Sequence, residues 1–137
     1  MKYKTFMLYL FILSVILSSC TNKLNYSLDK NEIVSIEIIE FESYQQDLIY
    51  NILYVLDDNE ISNFIEDLSQ IDFSKVYGDP YGFSGKCILI QYSNNDYEII
   101  GQKYIERRNI NNEVLTWHYY HADEIQFAEL ISKYNQA

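Results

Sequence analysis

Two short polar turns, each between two strand-like segments, predict that this chain folds around an antiparallel sheet. The flanking segments are rich in β-branched and aromatic residues, which suit a pleated surface. A four-residue turn reverses the chain but is too short to lead it into a parallel neighbour. The segments are 86–92 and 97–101 around the turn 93–96, and 104–108 and 113–120 around the turn 109–112.

Two other segments have the apolar spacing of amphipathic helices, in which residues i, i+3, i+4 and i+7 share one face. The two sets are Ile61, Phe64, Ile65 and Leu68, and Phe127, Leu130, Ile131 and Tyr134. Each set follows a polar pair typical of a helix N-terminus, Asp57 with Glu60 and Asp123 with Gln126. The patterns predict helices over 58–70 and 124–134, and they leave open whether Ile125 joins the buried face of the second helix.

Period-two alternation predicts a first strand over residues 33–39. Val34, Ile36 and Ile38 point to one side of this strand, and Ser35 and Glu37 point to the other. Residues 48–56 are apolar on both faces, which favours a central strand, and a short extra strand is expected around 73–77.

Together these elements predict an α+β fold. It has an antiparallel sheet of about 5–6 strands with two helices packed on one face, in the order ββαββββα. The helices need one sheet face to bury their apolar stripes, and the short turns keep successive strands adjacent.

The first twenty residues have the layout of a secretory signal peptide. Lys2 and Lys4 open the chain, an apolar run over 6–17 follows, and Ser18 and Ser19 lead into a cysteine. The run is too short to span a bilayer, which needs about 20 apolar residues. A buried N-terminal helix is the other alternative, but the run has almost no polar face.

Residues 17–20, Leu-Ser-Ser-Cys, resemble the lipobox of bacterial lipoproteins. The resemblance covers only the first 20 residues. It implies that Cys20 Sγ takes a diacylglyceryl group as a thioether and that a signal peptidase cuts between Ser19 and Cys20. Two or more acyl chains hold a protein stably on a membrane, whereas one is marginal. The protein is then expected to be lipid-anchored on the extracytoplasmic side of a bacterial cell membrane.

This interpretation divides the chain into three parts. Residues 1–19 are the cleaved signal peptide, residues 20–31 are the lipidated cysteine and a flexible polar tether, and residues 32–137 form a single α+β domain. The full chain has a net charge of −10, and cleavage would remove two lysines and no acid. Such an acidic domain is a poor partner for nucleic acid and for anionic lipid headgroups, so no nucleic-acid partner is expected and cationic, neutral or metallic partners are favoured.

The segment 76–85 holds the only proline and three of the four glycines, so it is predicted to be a loop. Its aromatic residues Tyr77, Tyr81 and Phe83 form a candidate ligand platform, because aromatic faces bind many ligands at low entropic cost. The alternative is that Tyr77 and Phe83 fold inward and cap the core.

Candidate reactive groups are few. Cys87 lies in an apolar strand and is expected to be a small buried side chain, with a Cys20–Cys87 disulfide as the rival hypothesis. His118 and His121 are weak candidates for a metal site, because residues three apart on a strand project to opposite faces. Arg107 and Arg108 either clamp an anion or pair with surface acids.

The sequence contains none of the common nucleophile, phosphate-binding or metalloprotease motifs. We therefore expect no metal, no cofactor and no catalysis. The predicted function is a membrane-anchored binding or interaction module. A small-ligand or metal-binding module and an envelope enzyme are the alternatives.

Overall fold

The computed structural model describes residues 26–44, 48–76 and 82–135. The predicted signal peptide, Ser19, Cys20, Tyr77 and Tyr81 lie outside these ranges. Within them, no helix is long and apolar enough to cross a bilayer.

The described residues form an α+β fold, as predicted, with eight strands, two helices and one 3₁₀ turn. In chain order the elements are a 3₁₀ turn Lys30–Glu32, β1 Ile33–Tyr44, β2 Leu48–Val55, α1 Asp58–Ser69, β3 Phe73–Lys75, β4 Gly85–Tyr92, β5 Tyr97–Ile100, β6 Ile105–Arg108, β7 Val114–His118, β8 Tyr120–Ala122 and α2 Glu124–Tyr134. Both predicted helices and both predicted hairpins are confirmed, and β3 is the short extra strand.

Six strands form one antiparallel sheet in the order β2-β1-β4-β5-β6-β7, and β3 pairs with β8 in a small second sheet. The prediction that 48–56 is a central strand is wrong, because β2 is an edge strand. Its apolar residues on both faces indicated burial, but Ile49, Ile52 and Val55 are exposed. The two central positions belong to β4 and β5, and β1 lies between β2 and β4. Strand β1 continues to residue 44, beyond the predicted end at 39.

Both four-residue turns contain an asparagine in the left-handed backbone region. Asn95 has φ 64° and Asn112 has φ 62°. Asparagine tolerates this conformation better than most residues because its short side chain hydrogen-bonds to the local backbone. The turns therefore close as the sequence predicts.

One face of the sheet packs against the two helices. Ile36, Ile38, Ile88 and Ile90 of the sheet share a buried cluster with the apolar stripes of α1 and α2. The stripes meet at Phe64 and Tyr134, whose rings lie 5.0 Å apart, edge to face. Ile125 is 70% exposed and stays outside the buried face of α2.

The helix N-termini use the predicted polar pairs. Glu60 Oε2 accepts from the backbone N–H of Asp57 at 2.9 Å, and Asp123 Oδ1 accepts from that of Gln126 at 3.0 Å. Gln126 does not reach back to Asp123. Its side-chain oxygen accepts instead from the N–H of Asp72 at 2.8 Å, which ties α2 to the segment before β3.

Two predicted positions at the start of the domain need correction. Val34 does not share the buried side of Ile36 and Ile38, because a bulge between Ile33 and Ser35 leaves it 59% exposed. Packing also begins before the expected domain start at residue 32. Tyr26 and Leu28, in the predicted tether, lie partly buried against the helix-side core.

A second, smaller cluster lies on the opposite face of the sheet. It consists of Ile39, Phe83, Cys87, Leu89 and Ile99, flanked by partly buried aromatic and leucine side chains. No helix residue belongs to this cluster. We call this side of the sheet the second face.

Candidate binding surfaces

A groove of about 330 Å³ lies on the second face of the sheet. This volume is within the range of small-molecule sites, which is roughly 300–1,000 Å³. The groove is lined by Val34, Leu48, Tyr50, Leu89, Gln91, Tyr92, Ser93, Asn95, Asp96, Tyr97 and Asn112. Its walls combine apolar side chains, tyrosine rings and amide groups.

Glu37 lies beside this groove and is only 8% exposed. Its Oε1 has a long 3.4 Å contact with Gln91 Nε2, and its Oε2 has no hydrogen-bond partner among the described residues. Burial raises the pKa of the Glu37 carboxyl, because the charged form loses water without a compensating donor. Glu37 is not itself a lining residue, but Gln91 and Leu89, the cross-strand partner of Glu37, both line the groove, so the carboxylate adjoins the groove.

The other two buried glutamates of the described chain are fully satisfied. Glu98 accepts from the hydroxyls of Tyr26 and Tyr92, the latter at 2.6 Å. Glu106 accepts from the Tyr104 hydroxyl at 2.7 Å and pairs with Arg108. In each case both carboxylate oxygens are used, so Glu37 differs from its counterparts.

Tyr50 and Tyr97 supply the aromatic part of the groove. The pKa of Tyr50 is raised by burial first, then by the negative charge of Glu37 and by Tyr97. The negative charge of Glu37 therefore acts on the Tyr50 hydroxyl. The Tyr97 hydroxyl donates to Asn112 Oδ1 at 2.9 Å, which fixes its ring over the groove.

The second candidate surface is the outer edge of β7. All five residues of this strand are exposed, and no described strand pairs with the side that faces away from β6. Val114, Leu115 and Trp117 are each about half exposed, between 45% and 55%. The strand carries no Asp, Glu, Lys or Arg, although the chain has a charge of −10.

This edge has neither the lysine nor the proline that commonly protects an edge strand, although it carries one bulge. Natural edges carry lysine, proline or bulges that discourage another strand from pairing. The β6–β7 ladder has one irregularity: the consecutive residues Arg107 and Arg108 pair with Thr116 and Val114, so Leu115 of β7 is the extra residue of a bulge. By contrast, the opposite edge strand, β2, is paired through two irregularities in its register with β1.

The candidate ligand loop is described only at its end. Phe83 is 7% exposed, and its ring lies 5.6 Å from Phe41 and 4.9 Å from Tyr104. Phe83 therefore packs inward and caps the second face, as the alternative hypothesis held. Tyr77 and Tyr81 lie outside the described residues.

Cys87 is a free, fully buried thiol. Its Sγ lies 3.7 Å from the Gly85 carbonyl oxygen. Burial raises the pKa of Cys87 to about 12, so the thiol stays protonated at neutral pH. Such a side chain packs as a small apolar group, as the sequence predicts.

The predicted weak metal candidates lie at the junction of β7 and β8. His118 is exposed, and the centre of its ring lies 5.7 Å from that of Tyr120 with the two planes tilted by 55°, whereas His121 belongs to β8. Across the described ranges, no group of three or more His, Cys, Asp or Glu side chains is arranged to hold a metal.

The two arginines pair with neighbouring groups. Arg107 bonds Asp96 at 3.0 Å and lies 4.0 Å above the centre of the Tyr92 ring. Arg108 pairs with Glu106 and donates to the Asn112 carbonyl at 2.8 Å. Both side chains are thus used within the fold, in agreement with the surface-pairing alternative.

Neither a protein-family model nor any curated protein or solved structure matches this chain. The candidate surfaces therefore rest on the chain's own residues.

Sequence reasoning missed Glu37 and Tyr50 as site residues. Alternation correctly placed Glu37 opposite Ile36 and Ile38, but it predicted nothing about what covers that side. The sequence pattern that could have predicted this burial is that Ile39 and Phe41 follow Glu37 at alternate positions of β1. A strand with apolar residues on both sides indicates that both faces are covered.

Proposed function

We propose that this chain is a bacterial lipoprotein, anchored through Cys20 on the extracytoplasmic side of the cell membrane, whose α+β domain binds a partner protein. The charged start, the short apolar run and the Leu-Ser-Ser-Cys motif of residues 17–20 support the anchor. The exposed edge of β7 is the observation that carries the binding function.

The proposed partner contributes an extended segment that adds a strand to β7. Strand addition takes its affinity from main-chain hydrogen bonds and its specificity from alternate side chains. Val114 and Trp117 lie opposite Arg108 and Glu106 of β6 and project to one face of the sheet, whereas Thr116 lies opposite Arg107 and projects to the other. An apolar partner strand can therefore pack on the face that carries Val114 and Trp117. The aromatic anchor is Trp117, which is supported by the Tyr119 ring at 5.4 Å.

Charge favours a basic partner over a second copy of this chain. Two copies would each bring a net negative charge to the interface, −10 for the full chain and more negative after loss of Lys2 and Lys4, and this repulsion opposes association. A segment with lysine or arginine beside its apolar residues meets an attractive field instead. The proposed occupant is therefore the extended segment of a cationic protein.

The proposed module acts by binding and not by catalysis. The protonated Cys87 thiol and the paired Arg107 and Arg108 support this interpretation, because none of them is poised to attack or to clamp a substrate. The exposed β7 edge offers contact area, not an enclosed reaction site.

The anchor is tested by metabolic labelling with an alkyne fatty acid in a bacterial host. The wild-type protein should be labelled and found in the membrane fraction, Cys20→Ser should lose the label, and Cys87→Ala should keep it. Cys87→Ala is the matched control because it removes the other thiol of the chain. Labelling that survives Cys20→Ser would refute the anchor.

The β7 edge is tested with a synthetic peptide of alternating valine and threonine flanked by lysines. It should shift the backbone amide resonances of 114–118, and a peptide N-methylated at alternate amides should not. Leu115→Lys should weaken binding, whereas Ile52→Lys, on the exposed edge strand β2, should not. Binding at β2, absence of binding, or self-association of the chain through β7 would each overturn the proposal.

A further inference from the structure

The unsatisfied carboxylate of Glu37 indicates a ligand. An acceptor buried without a partner costs about 1–3 kcal/mol in a folded protein, and native structures rarely keep one without a reason. Glu98 and Glu106, which are similarly buried, each use both oxygens. Glu37 Oε2 is therefore a buried hydrogen-bond acceptor that lacks a donor from the protein, and a bound ligand would supply that donor.

The surroundings of Glu37 select the chemistry of that donor. A cation keeps the carboxylate ionised and gives a charge-assisted hydrogen bond, which is stronger than a neutral one. Tyrosine faces attract cations through their negative quadrupoles, and Tyr50 and Tyr97 both line the groove. An anion would meet the Glu37 carboxylate and the negative field of the whole chain.

A metal ion fits this groove less well than an organic cation. Metal ions need several converging oxygen, nitrogen or sulfur ligands, and no such group of side chains is found in the described ranges. Two carboxylates lie at this groove: Asp96, which lines it and is paired with Arg107, and Glu37, which adjoins it. The groove also has an apolar wall at Leu48 and Leu89. These features match an ammonium group on an apolar stem.

We propose that the groove on the second face binds an organic ammonium ion, whose N–H group donates to Glu37 Oε2 and whose apolar stem lies along Leu48, Leu89 and the Tyr50 ring. This site is separate from the β7 edge and does not depend on it. The ammonium group comes either from a small free amine or from a lysine side chain, and the two sources have the same chemistry at Glu37.

The test titrates the purified protein with n-hexylammonium, with 1-hexanol as the uncharged match and with hexanoate as the anionic match. Hexylammonium should bind and shift the side-chain amide resonances of Gln91, and the other two probes should bind at least about tenfold more weakly, because each lacks the charge-assisted hydrogen bond. A second titration uses a blocked lysine, N-acetyl-lysine methylamide, to distinguish a lysine side chain from a free amine. If it binds as well as hexylammonium, the site takes lysine side chains, and if it binds much more weakly, the site takes free amines.

Variants locate the site. Glu37→Gln should weaken hexylammonium binding by about tenfold or more. Glu42→Gln, which makes the same charge change at an exposed position of β1, should alter it by less than about twofold. Tyr50→Leu, which removes the aromatic wall, should also weaken binding. Equal binding of hexanol and hexylammonium, full affinity in Glu37→Gln, or no binding of any ammonium probe would overturn the proposal and leave the β7 proposal unaffected.

Discussion

Replacing Glu37 by leucine should stabilise the ligand-free protein at neutral pH. Glu37 is 8% exposed, and its Oε2 has no hydrogen-bond partner among the described residues. The only hydrogen bond that its carboxylate accepts from them is the long 3.4 Å contact from Gln91. Leucine is close to glutamate in volume and would pack beside Leu89, its cross-strand neighbour. Removal of an unsatisfied buried acceptor of this kind should raise the free energy of unfolding by about 1–3 kcal/mol.

The gain should depend on pH in a defined direction. The folded protein holds the Glu37 proton more tightly than the unfolded chain does, because burial raises the carboxyl pKa above its usual value of 4.5. The wild type therefore loses stability as pH rises from 4.5 through the folded-state pKa of Glu37. The leucine variant lacks this titration. The difference in free energy of unfolding between the variant and the wild type should therefore be small in acid, increase as pH rises and become constant above that pKa.

The assay is urea unfolding followed by circular dichroism at a series of pH values. Glu106→Leu is the matched control, since Glu106 is an equally buried glutamate on the second face whose two oxygens are bound by Tyr104 and Arg108. It should lower the free energy of unfolding by about 1.5–3 kcal/mol. If Glu37→Leu destabilises the protein as Glu106→Leu does, or if its effect is the same at every pH, the account of Glu37 is refuted.

Three other outcomes follow from the fold. Tyr26→Phe should lower the free energy of unfolding by about 1–3 kcal/mol, because it leaves one oxygen of buried Glu98 without its donor; an unchanged urea midpoint would contradict this packing of the N-terminal segment. Asp123→Ala should cost about 1 kcal/mol through loss of the α2 cap, measured by the same unfolding assay, and Glu124→Ala should cost clearly less. Cys87 should react with iodoacetamide at pH 8 far more slowly in the folded protein than in urea, as mass spectrometry would show, and equal rates would contradict its burial and raised pKa.

Local patterns predicted most of the elements. The helix over 124–134 was predicted with the bounds that the structure has. Its N-terminal cap and its apolar stripe both depend on residues that are close together in the sequence. The hairpins were predicted for the same reason, since their polar turns carry asparagines that accept the left-handed conformation. These features depend on interactions within a few residues along the chain.

The position of a strand within the sheet was harder to predict. Residues 48–56 have the composition of a buried strand, yet β2 lies at the edge. Apolar composition shows that a strand tolerates burial, but which strands become central depends on pairing between distant segments. The pairing of β1 with β4 joins residues 44 to 59 positions apart, from Phe41 with Gly85 to Ile33 with Tyr92.

The sequence by itself determined the α+β class, the order of elements and the acidic charge, because each is set by composition or by short-range spacing, whereas the lipid anchor at Cys20 stays a prediction from residues 17–20. Only the tertiary structure decided that Glu37 lies buried beside Gln91, and that β7 presents an uncovered apolar edge. Burial and exposure are properties of surfaces brought together from distant parts of the chain, and no local pattern specifies which surface covers which.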